Sequence, residues 1–328
     1  MTIVVTGAAG FIGAHVTRAL VQRGQRVLGI DNLTPYYAVS LKEARLARLC
    51  AGAGFAHQAL DIADAGALEA ALVADEGRHG PIRAIIHLAA QAGVRYSLEN
   101  PGAYVTTNVT GQLAVLEAAR RRPRIPVIYA SSSSVYGANT RQPFRETDRV
   151  DHPVSLYAAT KRSAELLAET YGHLFGLSLT GLRFFTVYGP WGRPDMAPWL
   201  FTAAIRQGRP VRLFNQGQMA RDFTYIDDIV AGVLAALDRA PPPGAPPRLY
   251  NLGNSQPESL ERFVSVLEQA LERPAIRTYA PLQPGDVVAT FADITAAGRD
   301  LGYAPLTPLE TGLARFVAWY QAYDAGTA

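Results

Sequence analysis

Thr2-Ile-Val-Val-Thr-Gly-Ala-Ala-Gly-Phe-Ile-Gly13 is the stretch that decides how the rest of the chain is read. The β-branched run Thr2 to Thr6 leads into Gly7, Gly10 and Gly13, and an amphipathic pattern follows from Phe11 to about Arg23. A strand, a glycine turn and a helix in that order let the backbone turn tightly. They also bring a helix N-terminus, with its free N–H groups, against a pyrophosphate. The helix pattern sets Ile12, Val16, Ala19 and Leu20 on one stripe, the face expected to pack on a sheet. A glycine run alone is a weak signal. It gains weight from Asp31, which ends the next apolar run, RVLGID, at about the 20-residue distance of a dinucleotide fingerprint. An acid there accepts hydrogen bonds from a ribose diol and repels a 2′-phosphate, which favours NAD over NADP. The competing reading is an acid that merely caps a strand.

Outward from this unit the pattern repeats. IRAIIHLAA (82–90), PVIYASSSS (126–134) and LTGLRFFTV (179–187) are continuous apolar runs separated by longer amphipathic segments. Strands buried on both faces read this way, so the expected fold class is α/β, a doubly wound parallel sheet with helices on both sides. After Tyr188 the chain changes to GPWGRPDMAPW, rich in Gly, Pro and aromatics, which reads as an excursion into a second, smaller α/β domain. A helix from Ile226 to Leu237 and a strand from Arg248 to Gly253 are expected to return to the first domain, with PPPGAPP between them as a surface loop. Helical patterns from Leu260 to Leu271 and Leu309 to Tyr323 complete the smaller one. The expected division is therefore 1–187 plus about 225–254 for the dinucleotide domain, and about 188–224 plus 255–328 for the substrate domain.

Composition narrows the partners. With 328 residues, 48% hydrophobic and 18% charged, the chain can bury a large core. A net charge of +3, with the arginines scattered, gives little electrostatic support for a nucleic-acid partner and leaves a phosphate-bearing small molecule open. Cys50 is alone, which excludes an internal disulfide framework and suits a reducing compartment. No basic leader precedes the first strand and no apolar run approaches the ~20 residues of a membrane span, so a cytoplasmic protein without membrane contact is expected. The six histidines show no metal-ligand spacing, so no metal site is expected.

A second chemical signal is Tyr157 with Lys161 in VSLYAATKRSAELL, four residues apart and so on one helix face. A phenol near pKa 10 is a poor base at neutral pH. A neighbouring ammonium favours the phenolate, and the pair then becomes a candidate acid/base. Such pairs are common by chance. Four serines, Ser131 to Ser134, closing the preceding strand make this one specific.

Taken together, the glycine run, Asp31, HLAA (87–90), Asn108 in NVTGQLAVLEAA, SSSSVYG, YAATK and RDFTYIDD resemble the extended short-chain dehydrogenase/reductases. Within them the match is to the sugar-nucleotide epimerases and dehydratases, over nearly the whole chain. DNLTPYYAVSLKEARLARL, DHPVSLYAATK and LRFFTVYGPWGRPDM are similar to the UDP-glucuronate 4-epimerases of that family. The resemblance implies a Rossmann-type fold, tightly held NAD and a homodimer formed through the helices around 113–120 and 156–167. It implies that Ser132 bonds the sugar 4-hydroxyl, Tyr157 takes its proton, and Lys161 holds the nicotinamide ribose and tunes Tyr157. The implied cofactor shell is Gly7, Gly10, Phe11, Ile12, Gly13, Asp31, Asn32, Asp61, Ile62, Leu88, Ala89 and Ala90, with Tyr157 and Lys161. The implied UDP side is Asn108, Arg212, Phe214, Arg221, Gln283 and Asp286, Gln283 standing where some relatives carry arginine.

Two further features discriminate within the family. Dehydratases place Asp-Glu after the catalytic Ser/Thr and decarboxylases place Glu there. Ser133 and Ser134 hold those positions here and cannot titrate at working pH, which fits oxidation and re-reduction at carbon 4. Thr186 lies near the end of the run LTGLRFFTV and Arg193 follows it at the rim where a sugar is expected, and a guanidinium fork matches a carboxylate. The resemblance implies that they hold the uronate carboxylate together with Ser133 and Ser134. On residues alone, the preferred reading of Arg193 in a Gly/Pro loop is a solvated side chain. The expected activity is reversible conversion of UDP-glucuronate and UDP-galacturonate. The alternatives are a 4-epimerase for UDP-galactose or UDP-N-acetylhexosamine, a UDP-glucuronate decarboxylase, a net NAD-dependent reductase, or a non-catalytic NAD-binding regulator.

Overall fold

The computed structural model describes residues 1–283 and 285–326. In chain order they form β1 (Thr2–Thr6), α1 (Phe11–Gln22), β2 (Arg26–Asp31), α2 (Val39–Arg48), β3 (Phe55–Ala59), α3 (Ala65–His79), β4 (Ile82–His87), α4 (Tyr96–Glu99), α5 (Pro101–Val105), α6 (Gly111–Arg120), β5 (Val127–Ser132) and α7 (Leu156–Phe175). There follow β6 (Leu179–Phe184), β7 (Thr186–Tyr188), α8 (Ala197–Gln207), β8 (Val211–Phe214), β9 (Ala220–Tyr225), α9 (Ile226–Asp238), β10 (Arg248–Leu252), β11 (Pro257–Ser259), α10 (Leu260–Leu271), β12 (Arg277–Ala280), α11 (Thr295–Leu301) and α12 (Leu309–Asp324).

Seven strands make one parallel sheet in the order β10-β6-β5-β4-β1-β2-β3. The apolar runs supply its centre, every residue of β1 and β6 being buried. The chain winds one way from β1 to β3 and the other way from β4 to β6 and β10. The order reverses between β1 and β4, and a doubly wound sheet opens a crevice at the carboxyl ends of the strands at that point. β7, β9 and β11 form a small separate sheet, and β8 pairs with β12.

One expected strand is broken. LTGLRFFTV runs as β6 only to Phe184, because the Phe185 N–H donates to the Leu252 carbonyl at 3.0 Å while its ring is buried among Val135, Tyr136 and Phe144. Beyond that pivot β7 leaves the large sheet and pairs with β9, Thr186 opposite Phe223. β3, with no fully buried residue, and the helices α2, α3 and α8 were not assigned from the sequence pattern, α2 entering only through the resemblance of the stretch 31–49.

Helix α7 is the element that matters most for chemistry. Ser155 caps it by accepting from the Ala158 N–H, and Gly176 ends it in the left-handed region. Its start is thus fixed two residues before Tyr157. The excursion after Tyr188 is anchored by Trp191, whose ring packs against Trp319 and Tyr323 of α12.

Candidate active site

A cleft of about 450 Å³ opens at the switch point between β1 and β4. Gly7, Gly10, Phe11, Ile12, Asp31, Asn32, Asp61, Ile62 and Leu88 to Ala90 line one end, and Ser132, Tyr157, Lys161 and Arg193 line the other. At Gly7, φ is +73°, and a Cβ there would stand 2.6 Å from the Ala89 nitrogen. Gly13 does not line the cleft. A Cβ on it would lie 2.0 Å from the Gly7 carbonyl oxygen, so its absence of side chain closes the turn onto the helix. Gly10 caps α1 without a side-chain hydrogen bond, leaving the helix N-terminus open to an anion. Asp31 accepts from Ala9 N at 3.0 Å and from Leu33 N at 2.9 Å. Each carboxylate oxygen keeps a further acceptor site, directed by backbone rather than by rotamer choice. Asn32 donates to Asp61 at 3.0 Å. A floor that any Cβ would fill, an open helix N-terminus and a fixed acid at the end of β2 fit a dinucleotide with a free ribose diol.

At the other end β5 delivers Ser132 and α7 delivers Tyr157 and Lys161. Lys161 Nζ donates to the Ala130 carbonyl at 2.9 Å. Burial lowers its pKa to about 8, and only Glu165, one turn on, pulls it upward. Glu165 is itself tied down: it accepts from Ser131 Oγ and takes a two-pronged contact from Arg183 at 2.8 and 2.9 Å, all nearly out of solvent. Burial pushes the Tyr157 phenol above its usual value, against the Ser132 hydrogen bond and the charge of Arg193, which pull it down. The expected tuning of Tyr157 by Lys161 is not seen, because Lys161 is turned to the β5 backbone. The cation acting on the phenol is Arg193.

Arg193 stands in the loop after β7 and forms a two-pronged ion pair with Asp195, the Nε contact at 3.0 Å. Thr186 opens β7, half-buried at its edge. Ser133 and Ser134 form a short 3-10 turn after β5, where Ser132 Oγ lies 3.2 Å from Ser134 Oγ. None of these three serines and threonines after Ser132 lines the main cleft, although Arg193 does.

The residues assigned to the UDP side gather elsewhere. The Arg95 guanidinium lies 4.9 Å from the Phe214 ring centre and pairs with Asp286 at 3.1 Å. Arg221 feels the charge of both Asp286 and Arg95, and burial lowers its pKa. Gln283 Oε1 is buried with no hydrogen-bond partner among the described residues. Arg212 is exposed on β8 beside Phe214. Asn108 is not brought to this group. Its side chain is engaged inside the protein, accepting from Gln91 N and donating to Gln91 O and Thr160 Oγ1 at 2.8–3.0 Å. Sequence reasoning missed Arg95, the cleft-lining Tyr36 and Lys42, and Asp195, the partner of Arg193. The stretch 31–49 stood out as a resemblance, but nothing in its spacing pointed to what it touches. Among the described residues no cluster of His, Cys, Asp and Glu could hold a metal ion, and no helix is long and apolar enough to cross a membrane.

The model of the NAD dependent epimerase/dehydratase family matches residues 3–253, which span the glycine turn, the crevice and the catalytic helix. The chain belongs to that family. It is 49% identical over 339 residues to UDP-glucuronate 4-epimerase 3 of Arabidopsis thaliana, covering 99% of this chain and 77% of that one. It is 44% identical over 337 residues to Protein CapI of Staphylococcus aureus, covering 98% and 99%. Its fold is similar, with a TM-score of 0.89 and 33% identity over 98% of this chain and 100% of the other, to the UDP-glucuronic acid 4-epimerase of Bacillus cereus solved with UDP-glucuronic acid and NAD.

Proposed function

We propose that this member of the family interconverts UDP-glucuronate and UDP-galacturonate by oxidation and re-reduction at carbon 4, with NAD held tightly throughout. The observation that carries this reading is Arg193 on the cleft wall, close enough for its charge to act on Tyr157, with two serines in place of any acid after Ser132. A fixed cation beside the reacting carbon selects a sugar acid over a neutral sugar, and the missing acid removes the group a dehydratase or decarboxylase needs. NAD supplies a reversible hydride acceptor and the positive charge of its nicotinamide ring. Ser132 orients the 4-hydroxyl and Tyr157 removes and returns its proton. Lys161, bonded to the Ala130 carbonyl with the charge of Glu165 nearby, holds the cofactor ribose. On this reading Arg221, Arg95, Phe214, Gln283, Asp286 and Arg212 receive the nucleotide, outside the main cleft. On the same reading Thr186, Ser133 and Ser134 help Arg193 at the carboxylate, although none of the three lines the main cleft.

The division into a dinucleotide domain, 1–187 plus about 225–254, and a substrate domain from the remainder belongs to the same reading, as does a homodimer. Val105, Leu113 and Leu166 lie exposed on α5, α6 and α7 and suit such a contact. A reducing cytoplasmic setting suits the single buried Cys50.

The test is incubation with a panel of UDP-sugars, with products separated by chromatography and the bound nucleotide identified by mass. Conversion of UDP-glucuronate without net NADH formation, by protein carrying NAD, is expected. Conversion of UDP-galactose in preference to the uronates, or bound NADP, would overturn the assignment.

A further inference from the structure

The stretch Tyr36 to Arg45 plays no part in the chemistry above, yet it converges on Arg193. The Arg193 guanidinium gives its Nε and Nη2 edge to Asp195, and no hydrogen bond from its Nη1 appears among the described residues. Asp195 in turn accepts from the Tyr36 hydroxyl at 3.0 Å, and the Tyr36 ring lies 6.0 Å beneath the guanidinium. Gly93, at φ +101°, leaves room for this contact, since a Cβ there would meet the Tyr36 oxygen at 2.6 Å. The loop backbone is held as firmly. Arg45 is fully buried and donates to the carbonyls of Trp191 and Gly192, the two residues before Arg193, at 3.0 and 3.1 Å, and to Ala9 O of the glycine turn at 3.1 Å. The backbone at Arg193 is therefore fixed by α2, and its side chain by Asp195 and Tyr36.

We propose that Asp195 and Tyr36 are specificity-determining positioning residues, which hold Arg193 by one edge so that its free Nη1 end meets the carboxylate of a uronate substrate. This rests on the uronate reading above. A guanidinium presents more than one edge to carboxylates, and one already fixed along the first loses less freedom when the second is engaged. A sugar with a neutral group at carbon 6 has nothing to gain from that arrangement.

The experiment is calorimetric titration of NAD-loaded protein with UDP-glucuronate, UDP-glucose and UDP, for the parent, Tyr36→Phe, Asp195→Asn and Asp195→Glu. Tyr36→Phe should weaken UDP-glucuronate by about tenfold and Asp195→Asn by more, as expected for lost charge-assisted bonds. UDP-glucose and UDP should stay within about twofold, and KM should rise with kcat nearly unchanged. Asp195→Glu should recover part of the loss. UDP binding doubles as the check that each variant is folded. Unchanged UDP-glucuronate affinity in both Tyr36→Phe and Asp195→Asn would overturn the proposal, and so would tighter binding by Asp195→Asn, which would make Asp195 a competitor for Arg193. Equal affinity of the parent for UDP-glucuronate and UDP-glucose is a different failure, visible before any variant is made. It removes the uronate reading and this proposal with it.

Discussion

Tyr157 and Lys161 sit in the same turn of α7, but the structure gives them different neighbours. Tyr157 Oη faces Ser132 and Arg193, whereas Lys161 Nζ faces the β5 backbone. Replacing Tyr157 by Phe keeps the ring and removes the proton acceptor, so turnover should fall by roughly 10² to 10⁴ with NAD content unchanged. Near-normal turnover would assign the proton transfer to another group. Lys161 yields a prediction of opposite character. Its folded pKa, about 8, is below the ordinary lysine value of 10.5, so between those values the unfolded chain binds more protons than the folded one. Stability from this group alone therefore rises with pH across that window, and the cost of a buried ammonium is fully present below pH 8. The difference in thermal midpoint between NAD-free parent and Lys161→Met should accordingly grow more favourable to the parent from pH 8 to 10. A constant difference would mean that Lys161 titrates at its ordinary value. Both residues were legible in the sequence as a pair. Which groups each would face was not, since Arg193 lies 36 residues beyond Tyr157 in the chain.

At the scale of the element, α7 is clamped to the sheet by a buried ionic cluster. Arg183 of β6 and Ser131 of β5 both bind Glu165, and Arg162 joins at 3.1 Å. Arg183 and Glu165 are 1% and 3% exposed, so removing one partner leaves a buried charge without its counter-ion. Glu165→Ala should destabilise the fold by roughly 3–5 kcal/mol, measured by denaturant unfolding, and should lower kcat in whatever protein remains folded. A loss below about 1 kcal/mol would mean that water or another acid replaces the contact. A helix carrying Tyr157 and Lys161 on one face was expected from the sequence. Its clamp was not, because Arg183 lies within an apolar strand run and pattern reading gives it no partner.

For the whole molecule, the exposed apolar side chains of α5 to α7 bear on assembly. Leu166 is 52% exposed and Leu113 38%, on neighbouring helices away from the cleft. Leu166→Glu should convert a dimer to a monomer in sedimentation velocity while leaving NAD content intact. A parent that already sediments as a monomer would remove the dimer from the proposed function.

The glycine turn and Asp31 of the cofactor end were determined within one βαβ unit, whereas Asp61, Ile62 and Leu88 to Ala90 come from the segments after β3 and β4. Strand, glycine turn, helix and Asp31 are neighbours in sequence, and the backbone has few ways to join them, so the residues of the first 31 positions carry their own geometry. The broken strand at Phe185 depended on Leu252, 67 residues further on, and the meeting of Tyr36 and Arg45 with residues 191–195 on segments 146 to 159 residues apart. Arg95 and Asp286 are separated by 191 positions, and each alone reads as an ordinary surface charge. Local sequence dictates local turns and periodicity. Which distant charges end up facing one another is decided only when the loops after the strands are packed together over the crevice, and that packing is a property of the tertiary structure.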